Sequence, residues 1–188
     1  MKKLLAGAAL FTLSFNSYAE IMPYASVGMN VFSIDNESSA FGAEASSDGG
    51  STAVFNGGVM FGSNSKVNVF YFSGEEDDSN VMKATVSGIS YDYNFNNQGA
   101  YRGIVLGAGI SNVETEFKNS SITTATSDSS TGLLLRLGYD YLMDNGLFLS
   151  AVLNYNTAEQ KHKPLTAAPN AEFTSTVNDI SFSVGYAF

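Results

Sequence analysis

Large apolar residues alternate with small residues along the last nine positions of the chain. The large ones at every second position are Ile180, Phe182, Val184, Tyr186 and Phe188. A period of two predicts a β-strand with two unlike faces. A strand with one face in water normally carries charged or larger polar side chains there, whereas this face holds only serine, glycine and alanine. The small face is therefore typical of a crowded interior.

The same alternation recurs through the chain and predicts eight strands. They cover residues 22–33, 52–62, 66–74, 82–95, 101–113, 130–142, 147–157 and 175–188. Each is close to the length of about 9–11 residues that a tilted strand needs to cross a membrane. The first strand leaves its orientation open, because Tyr24 and Phe32 share a face with Ser26, Gly28 and Asn30.

The connections between these strands alternate in length. Three are tight and contain Asn and Gly, which tolerate the positive φ of hairpin turns: residues 62–65, 96–99 and 143–146. Four are longer and polar: residues 34–51, 75–81, 114–129 and 158–174. The alternation indicates an up-and-down arrangement in which both termini lie on the side of the tight turns.

Two features favour a barrel with its apolar face outward. The polar face consists of Gly, Ser, Asn and Asp with few Lys or Glu, and eight strands enclose a space that small side chains fill. Aromatic residues collect at the turn-side ends of the apolar face, as in the girdle of a membrane barrel: Phe61, Tyr93, Phe95, Tyr139, Tyr141, Tyr186 and Phe188. We therefore predict an all-β fold, an eight-stranded antiparallel up-and-down transmembrane β-barrel. A periplasmic lipocalin-like barrel is the alternative.

The N-terminus has the pattern of a secretory signal peptide. Lys2 and Lys3 precede an apolar stretch at residues 4–15, which is too short to span a bilayer as a helix, and small residues surround Ala19. We expect residues 1–19 to be removed and residues 20–188 to form one barrel domain, with an uncleaved N-terminal anchor as the alternative. Cleavage leaves seven basic and eighteen acidic residues, a net charge of −11, which argues against nucleic-acid binding. Cysteine is absent from the sequence.

The leader, the eight alternating strands and the aromatic C-terminal strand resemble the small Gram-negative outer-membrane β-barrel family of the OmpX, OmpA and Opa type. The resemblance implies tight turns and termini in the periplasm and long loops outside the cell. It also implies that the barrel-assembly machinery reads the terminal face formed by Ile180, Phe182, Val184, Tyr186 and Phe188. Phe188 is equally compatible with a simple girdle position.

A few charged residues fall on the small-residue face of the predicted strands. They are Lys66, Asp92, Arg136, Asp140 and Asp179. Buried charges need partners, so we expect Arg136 to meet Asp179 and Lys66 to meet Asp92 or Asp140. The favoured interpretation is a structural plug of ion pairs and hydrogen bonds, and the alternative is a narrow ion path controlled by Arg136.

The polar connections carry the remaining candidate chemistry. Glu75, Glu76, Asp77 and Asp78 could gather Ca²⁺ or Mg²⁺, but their spacing is not that of an EF-hand, and we predict a solvated acidic loop with no metal site. Lys161, His162 and Lys163 form a basic cluster that we expect on a solvated rim, with contact to lipid phosphates or to an acidic partner as the alternative.

The sequence favours a non-enzymatic role without a cofactor. We expect a structural or surface-interaction protein of the outer membrane, acting in adhesion, host contact or envelope integrity through acidic extracellular loops. The alternatives are a small porin-like channel and, less favoured, a lipid-modifying enzyme. The expected partners are outer-membrane lipid and lipopolysaccharide, the assembly machinery and an extracellular or host ligand, with the barrel itself a monomer.

Overall fold

The computed structural model describes residues 21–38, 48–76, 82–95, 101–117, 127–162 and 173–188, with only the backbone of residues 37, 38, 48 and 173. The predicted signal peptide and the tight turn predicted at residues 96–99 lie outside these ranges. The strands are β1 Ile21–Ser38, β2 Asp48–Phe61, β3 Ser65–Glu75, β4 Met82–Asn94, β5 Arg102–Phe117, β6 Ser127–Leu142, β7 Leu147–Asn156, β8 Gln160–His162 and β9 Phe173–Ala187. Within the described residues, no helix has the length and apolar character needed to span a membrane.

The strands form one antiparallel sheet that closes on itself. Each strand from β1 to β7 pairs with the next, β7 pairs with β9, and β9 pairs with β1 from Tyr24↔Ala187 to Ser38↔Phe173. The short β8 pairs with β9 beyond the end of β7, so β7 and β8 occupy one position in the wall. The predicted eight-stranded up-and-down barrel is confirmed.

The tight turns depend on glycine where the backbone enters the left-handed region. Gly62, which begins the connection from β2 to β3, has φ of 60°, and Gly146, which precedes β7, has φ of 85°. A side chain at either position would strain the turn. Both turns lie at the same end of the barrel as the C-terminus, which we call the turn side. The opposite end is the loop side.

The outward face is apolar across the middle of the barrel. Leu135, Leu153 and Phe182 are 44%, 46% and 57% exposed, as expected for side chains that face lipid. In β1, whose orientation the sequence left open, Tyr24 and Phe32 are buried inside the barrel. Val27 and Met29 of the same strand point outward and are exposed.

The loop-side strands are longer than predicted. β1 and β2 extend into the segment expected to be a loop at residues 34–51, and β5 and β6 extend into residues 114–129. Alternation continues there, but with the opposite polarity. Beyond Ile110, the outward side chains of β5 are Asn112, Glu114 and Glu116, whereas Val113 and Phe117 are buried inside.

The barrel therefore changes character along its axis. On the loop side it has a polar exterior and an apolar interior, which we call the loop-side core: Phe32, Ile34, Val54, Phe70, Phe72, Met82, Ala84, Val86, Val113, Phe117, Leu134, Ala158 and Val177. The reversal of the outward face near Ile110 marks the limit of the surface that suits hydrocarbon. From Ile110 to Phe117 the wall rises about 18 Å further, at about 3.4 Å per residue and a tilt of about 40°.

The reversal of the outward face predicts that two substitutions on the outward face of β6 differ in their effect on stability. Leu137 of β6 lies midway along the outward apolar face, while Thr131 lies on the same face above the reversal. We expect Leu137→Arg to lower the free energy of unfolding by about 2–4 kcal/mol and Thr131→Arg by less than about 1 kcal/mol. Urea unfolding in lipid vesicles measures both. Equal losses would contradict the proposed membrane limit.

Candidate functional site

The five charged residues predicted to face the interior all do so. Lys66, Asp92, Arg136, Asp140 and Asp179 are each at most 5% exposed. They come from β3, β4, β6 and β9, and strand alternation places each on the inner face. The candidate functional site of the barrel is therefore in its interior, near the middle of its length.

Most of these residues belong to a single row of paired positions. The pairing runs Lys66↔Asp92↔Gly107↔Arg136↔Asn154↔Asp179 from β3 through β9. Gly107 is essential to this arrangement, because a Cβ atom at that position would lie 2.2 Å from Asp92 Oδ1. The missing side chain lets Asp92 and Arg136 approach each other over β5.

Lys66 forms an ion pair across the lumen with Asp140. Its Nζ lies 2.5 Å from Asp140 Oδ2 and 3.5 Å from Asp92 Oδ2. Ser150 Oγ donates a hydrogen bond of 2.6 Å to the other oxygen of Asp140. The contact between Lys66 and Asp140 joins β3 to β6, which are not neighbours in the sheet.

Arg136 completes an electrically balanced group. Its Nη1 lies 3.4 Å from Asp92 Oδ2 and donates a hydrogen bond of 2.7 Å to Ser90 Oγ. Ser90 Oγ in turn donates to Asp92 Oδ1 at 2.8 Å. Lys66 and Arg136 thus face the carboxylates of Asp92 and Asp140, and we call these four residues the charged layer.

The expected ion pair between Arg136 and Asp179 is wrong. The two residues lie in the same row, but Asn154 stands between them and donates a hydrogen bond from Nδ2 to Asp179 Oδ1 at 2.7 Å. Asn30, with its amide oriented to donate, also reaches Asp179 Oδ1 at 2.9 Å. The sequence predicts the height of Arg136 and Asp179 above the turns. However, β7 lies between their strands, and its Asn154 is the neighbour of Asp179.

Aromatic rings cover both ends of the charged layer. On the turn side, Lys66 Nζ lies 5.6, 5.9 and 5.2 Å from the ring centroids of Tyr24, Tyr101 and Phe148, within cation–π range. These rings pack with Met60 and Ala187 in a turn-side cluster. On the loop side, the Arg136 guanidinium lies 5.6 Å from the centroid of Phe70, which belongs to the loop-side core.

Little free space remains around the charged layer among the described residues. The gaps among Tyr24, Lys66, Asn68, Arg136 and their neighbours total about 210 Å³, and none of them admits the centre of a water molecule. Tyr24 also donates its hydroxyl proton to Asn68 Oδ1 across this space. The layer can bind its own strands together, and the gaps among these described residues do not admit water.

The acidic connection after β3 is only partly solvated. Glu75 is exposed, but Glu76 is 2% exposed and its Oε2 accepts a hydrogen bond of 3.2 Å from the backbone N–H of Met82. Glu76 therefore closes the end of the hairpin between β3 and β4. Asp77 and Asp78 lie outside the described residues. In the described ranges, no group of three or more acidic, His or Cys side chains is placed to hold a metal ion.

His162 is not on a solvated rim, contrary to the sequence-based expectation. It is 1% exposed, because β8 continues the alternation of β7 and turns its side chain into the barrel. Its Nε2 lies 2.7 Å from Thr115 Oγ1, and its ring meets Phe117 edge-on at 4.7 Å. Burial lowers the pKa of His162 below 6.5, partly opposed by Asp128. Lys161 is exposed, and Lys163 lies outside the described residues.

The terminal face predicted as an assembly signal lies wholly on the outside. Its five residues are between 45% and 72% exposed: Ile180, Phe182, Val184, Tyr186 and Phe188. Tyr186 and Phe188 also contact each other, with ring centroids 5.5 Å apart.

Comparisons with known proteins agree with this architecture. The family model described as "Outer membrane protein beta-barrel domain" matches residues 4–188. Neisserial surface protein A is 19% identical, with a TM-score of 0.58 over 87% of this chain and 95% of that one. OprG from Pseudomonas aeruginosa is 15% identical, with a TM-score of 0.62 over 92% and 98%. AlkL is 16% identical, with a TM-score of 0.57 over 92% of each chain. No curated protein matches the sequence. At these identities the structural likeness establishes the fold alone.

The ion pairs of the charged layer predict that substitutions of Asp140 and Lys66 are not additive in their effect on the free energy of unfolding. Asp140→Asn leaves Lys66 with one distant carboxylate and should lower the free energy of unfolding by about 3–5 kcal/mol. Adding Lys66→Met should recover most of that loss, because the pair of Arg136 with Asp92 remains balanced. Urea unfolding in vesicles measures Asp140→Asn, Lys66→Met and the double variant. A double variant as unstable as the sum of the single losses would refute the proposed coupling.

The lowered pKa of His162 predicts that the stability of the barrel depends on pH. Because its folded pKa is lowered, the unfolded chain takes up a proton below pH 6.5 that the folded chain does not, so stability falls as the pH falls through that range. His162→Gln should remove this component. The difference in unfolding free energy between the wild type and the variant, measured from pH 7.5 to about 5, isolates it from the carboxylates. A difference that does not change with pH would contradict the prediction.

Proposed function

This chain belongs to the outer membrane protein β-barrel domain family, and we propose that it is a closed barrel with a structural or surface-interaction role. In this proposal it presents acidic loops outside the cell and contributes to adhesion, host contact or envelope integrity. Both termini face the periplasm. The leader of residues 1–19 directs export and is removed.

The closed interior carries the proposal. The charged layer lies between the turn-side cluster and the loop-side core, and the gaps around Lys66 and Arg136 do not admit a water molecule. A porin-like path would require separating paired buried charges, which is costly. The observed interior therefore favours a plug over a channel.

The loop-side half of the wall supports a presenting role. It stands clear of the apolar surface and has its own apolar core, so the strands remain ordered above the membrane. Its outward side chains include the exposed carboxylates of Glu114 and Glu116. A rigid acidic platform of this kind suits contact with a basic partner, or with lipopolysaccharide phosphates through divalent cations.

The position of His162 supports a non-enzymatic role. It is the single histidine of the sequence and is buried against Thr115 and Phe117. A general base must reach a proton on its substrate, and this ring lies inside the packed core. We propose that the pair formed by His162 and Thr115 stabilises the wall where β8 follows the break after β7.

The outward terminal face supports the proposed assembly signal. Ile180, Phe182, Val184, Tyr186 and Phe188 form one accessible surface before the barrel enters lipid. We propose that the barrel-assembly machinery binds this face and that the inserted barrel is a monomer. Outer-membrane lipid then covers the same residues.

Conductance separates the proposed role from transport. Purified wild-type protein in planar bilayers should give no reproducible single-channel steps, because the charged layer is closed. Arg136→Lys is a control that keeps the charge, while Arg136→Ala opens space beside Asp92. Wild-type steps whose size changes in Arg136→Ala would overturn the proposed closed role.

Presentation of the loops is tested in intact cells. An epitope tag placed at residues 118–126 should bind antibody on unbroken cells, whereas the same tag at residues 96–100 should bind only after lysis. The reverse pattern would contradict the proposed orientation.

A further inference from the structure

A groove crosses the outward apolar face where β1, β6, β7 and β9 adjoin. Its floor is Ala151, whose neighbours along β7 and across the sheet are all larger: Leu149, Leu153, Tyr139 and Phe182. The groove has a volume of about 530 Å³, and Tyr141, Val184 and Val27 complete its walls. It lies below the reversal of the outward face, so its surroundings are hydrocarbon.

A cationic side chain, that of Arg102, lies next to the turn-side edge of this groove. One row of paired positions runs Arg102↔Tyr141↔Leu149↔Val184↔Val27 from β5 to β1. Arg102 therefore lies one strand beyond the groove wall formed by Tyr141. Its guanidinium carbon is 5.6 Å from the centroid of the Tyr141 ring.

Arg102 has no acidic partner among the described residues. Its guanidinium lies over the Tyr141 ring, and its Nε is buried without a hydrogen-bond partner. The other described Lys and Arg residues point into the lumen or lie on the loop side. Arg102 is thus the outward cation at the turn-side girdle, at the height of lipid headgroups.

We propose that this surface is a binding site for an anionic phospholipid of the leaflet at the turn side. The phosphate group binds Arg102, and one acyl chain passes Tyr141 and lies in the groove over Ala151. Arg102 and Ala151 are two strands and two rows of paired positions apart, about 12 Å at the usual sheet spacings. The acyl chains of one leaflet span about 15 Å, so one lipid reaches both.

The charge distribution favours a lipid over a second copy of the chain. A groove with an apolar floor and a cationic end matches an amphiphile with an anionic head. In a two-fold dimer across this groove, each Arg102 would lie two strands to one side of the dimer axis and outside the partner's groove. The cation would then have no role at the interface, whereas the headgroup of a lipid lying in the groove reaches it.

Native mass spectrometry of the detergent-purified full-length barrel tests the site. The probes are palmitoyl-oleoyl phosphatidylglycerol and the matching phosphatidylcholine. We expect the wild type to retain phosphatidylglycerol about fivefold better, as expected for one arginine at the membrane surface. Arg102→Gln should abolish the preference. Ala151→Leu, which fills the groove, should weaken retention of both lipids.

Lys83→Gln is the matched control, because it removes an outward cation on the loop side. It should leave the preference unchanged, and Ala151→Val serves as a milder filling variant if the leucine lowers folding yield. Equal retention of the two lipids by the wild type, or an unchanged preference in Arg102→Gln, would overturn the proposal. A dimer that Ala151→Leu dissociates would assign the groove to a second copy and also overturn it.

Discussion

The requirement that every backbone N–H and C=O be paired in hydrocarbon determines the rest of this structure. A sheet in lipid cannot leave an open edge, because each unpaired group costs several kcal/mol. Here the pairing of β1 with β9 closes the sheet, and it continues beyond the apolar band to Ser38↔Phe173. Once the sheet is closed, alternation assigns each residue to lipid or to the lumen. Large apolar side chains then occupy the outside, and charges fall in the interior.

The narrow interior explains how so many charged residues are tolerated. Lys66, Asp92, Arg136 and Asp140 balance one another within a space that also excludes water. Gly107 permits the contact between Asp92 and Arg136 by contributing no side chain to the row. The contacts of Lys66 with Asp140 and of Arg136 with Asp92 join strands that are not neighbours in the sheet, so they stabilise the barrel across its lumen. The proposed structural plug rests on these contacts.

Alternation alone was sufficient to predict the barrel, its tight turns and the inward direction of the charged residues. Leu133, Leu135 and Leu137 show why: a strand with leucine at every second position has one possible lipid face. The loop-side extension does not show in the pattern of outward apolar residues, because the strands there carry polar residues on the outside. Beyond Ile110 the alternation persists, but Val113 and Phe117 point inward and Glu114 points outward.

Two further differences concern contacts that the alternation of apolar residues does not specify. Arg136 and Asp179 lie in the same row, but Asn154 of β7 separates them. His162 follows a break after Asn156, and the register with β9 shifts there, so that Gln160 pairs with Ser175. A basic cluster in a polar segment is typical of a solvated rim, but the alternation of β7 continues through β8 and places His162 inside the barrel.

The reversal of the outward face is tested most directly by spin labels on single cysteines, which the cysteine-free sequence allows without background. Labels at Leu135, Leu153 and Phe182, in protein reconstituted in vesicles, should collide with oxygen and be shielded from a water-soluble nickel reagent. Labels at Thr131 and Glu114 should show the opposite preference. Nickel access at Leu135, Leu153 and Phe182, or oxygen preference at Thr131 and Glu114, would contradict the account.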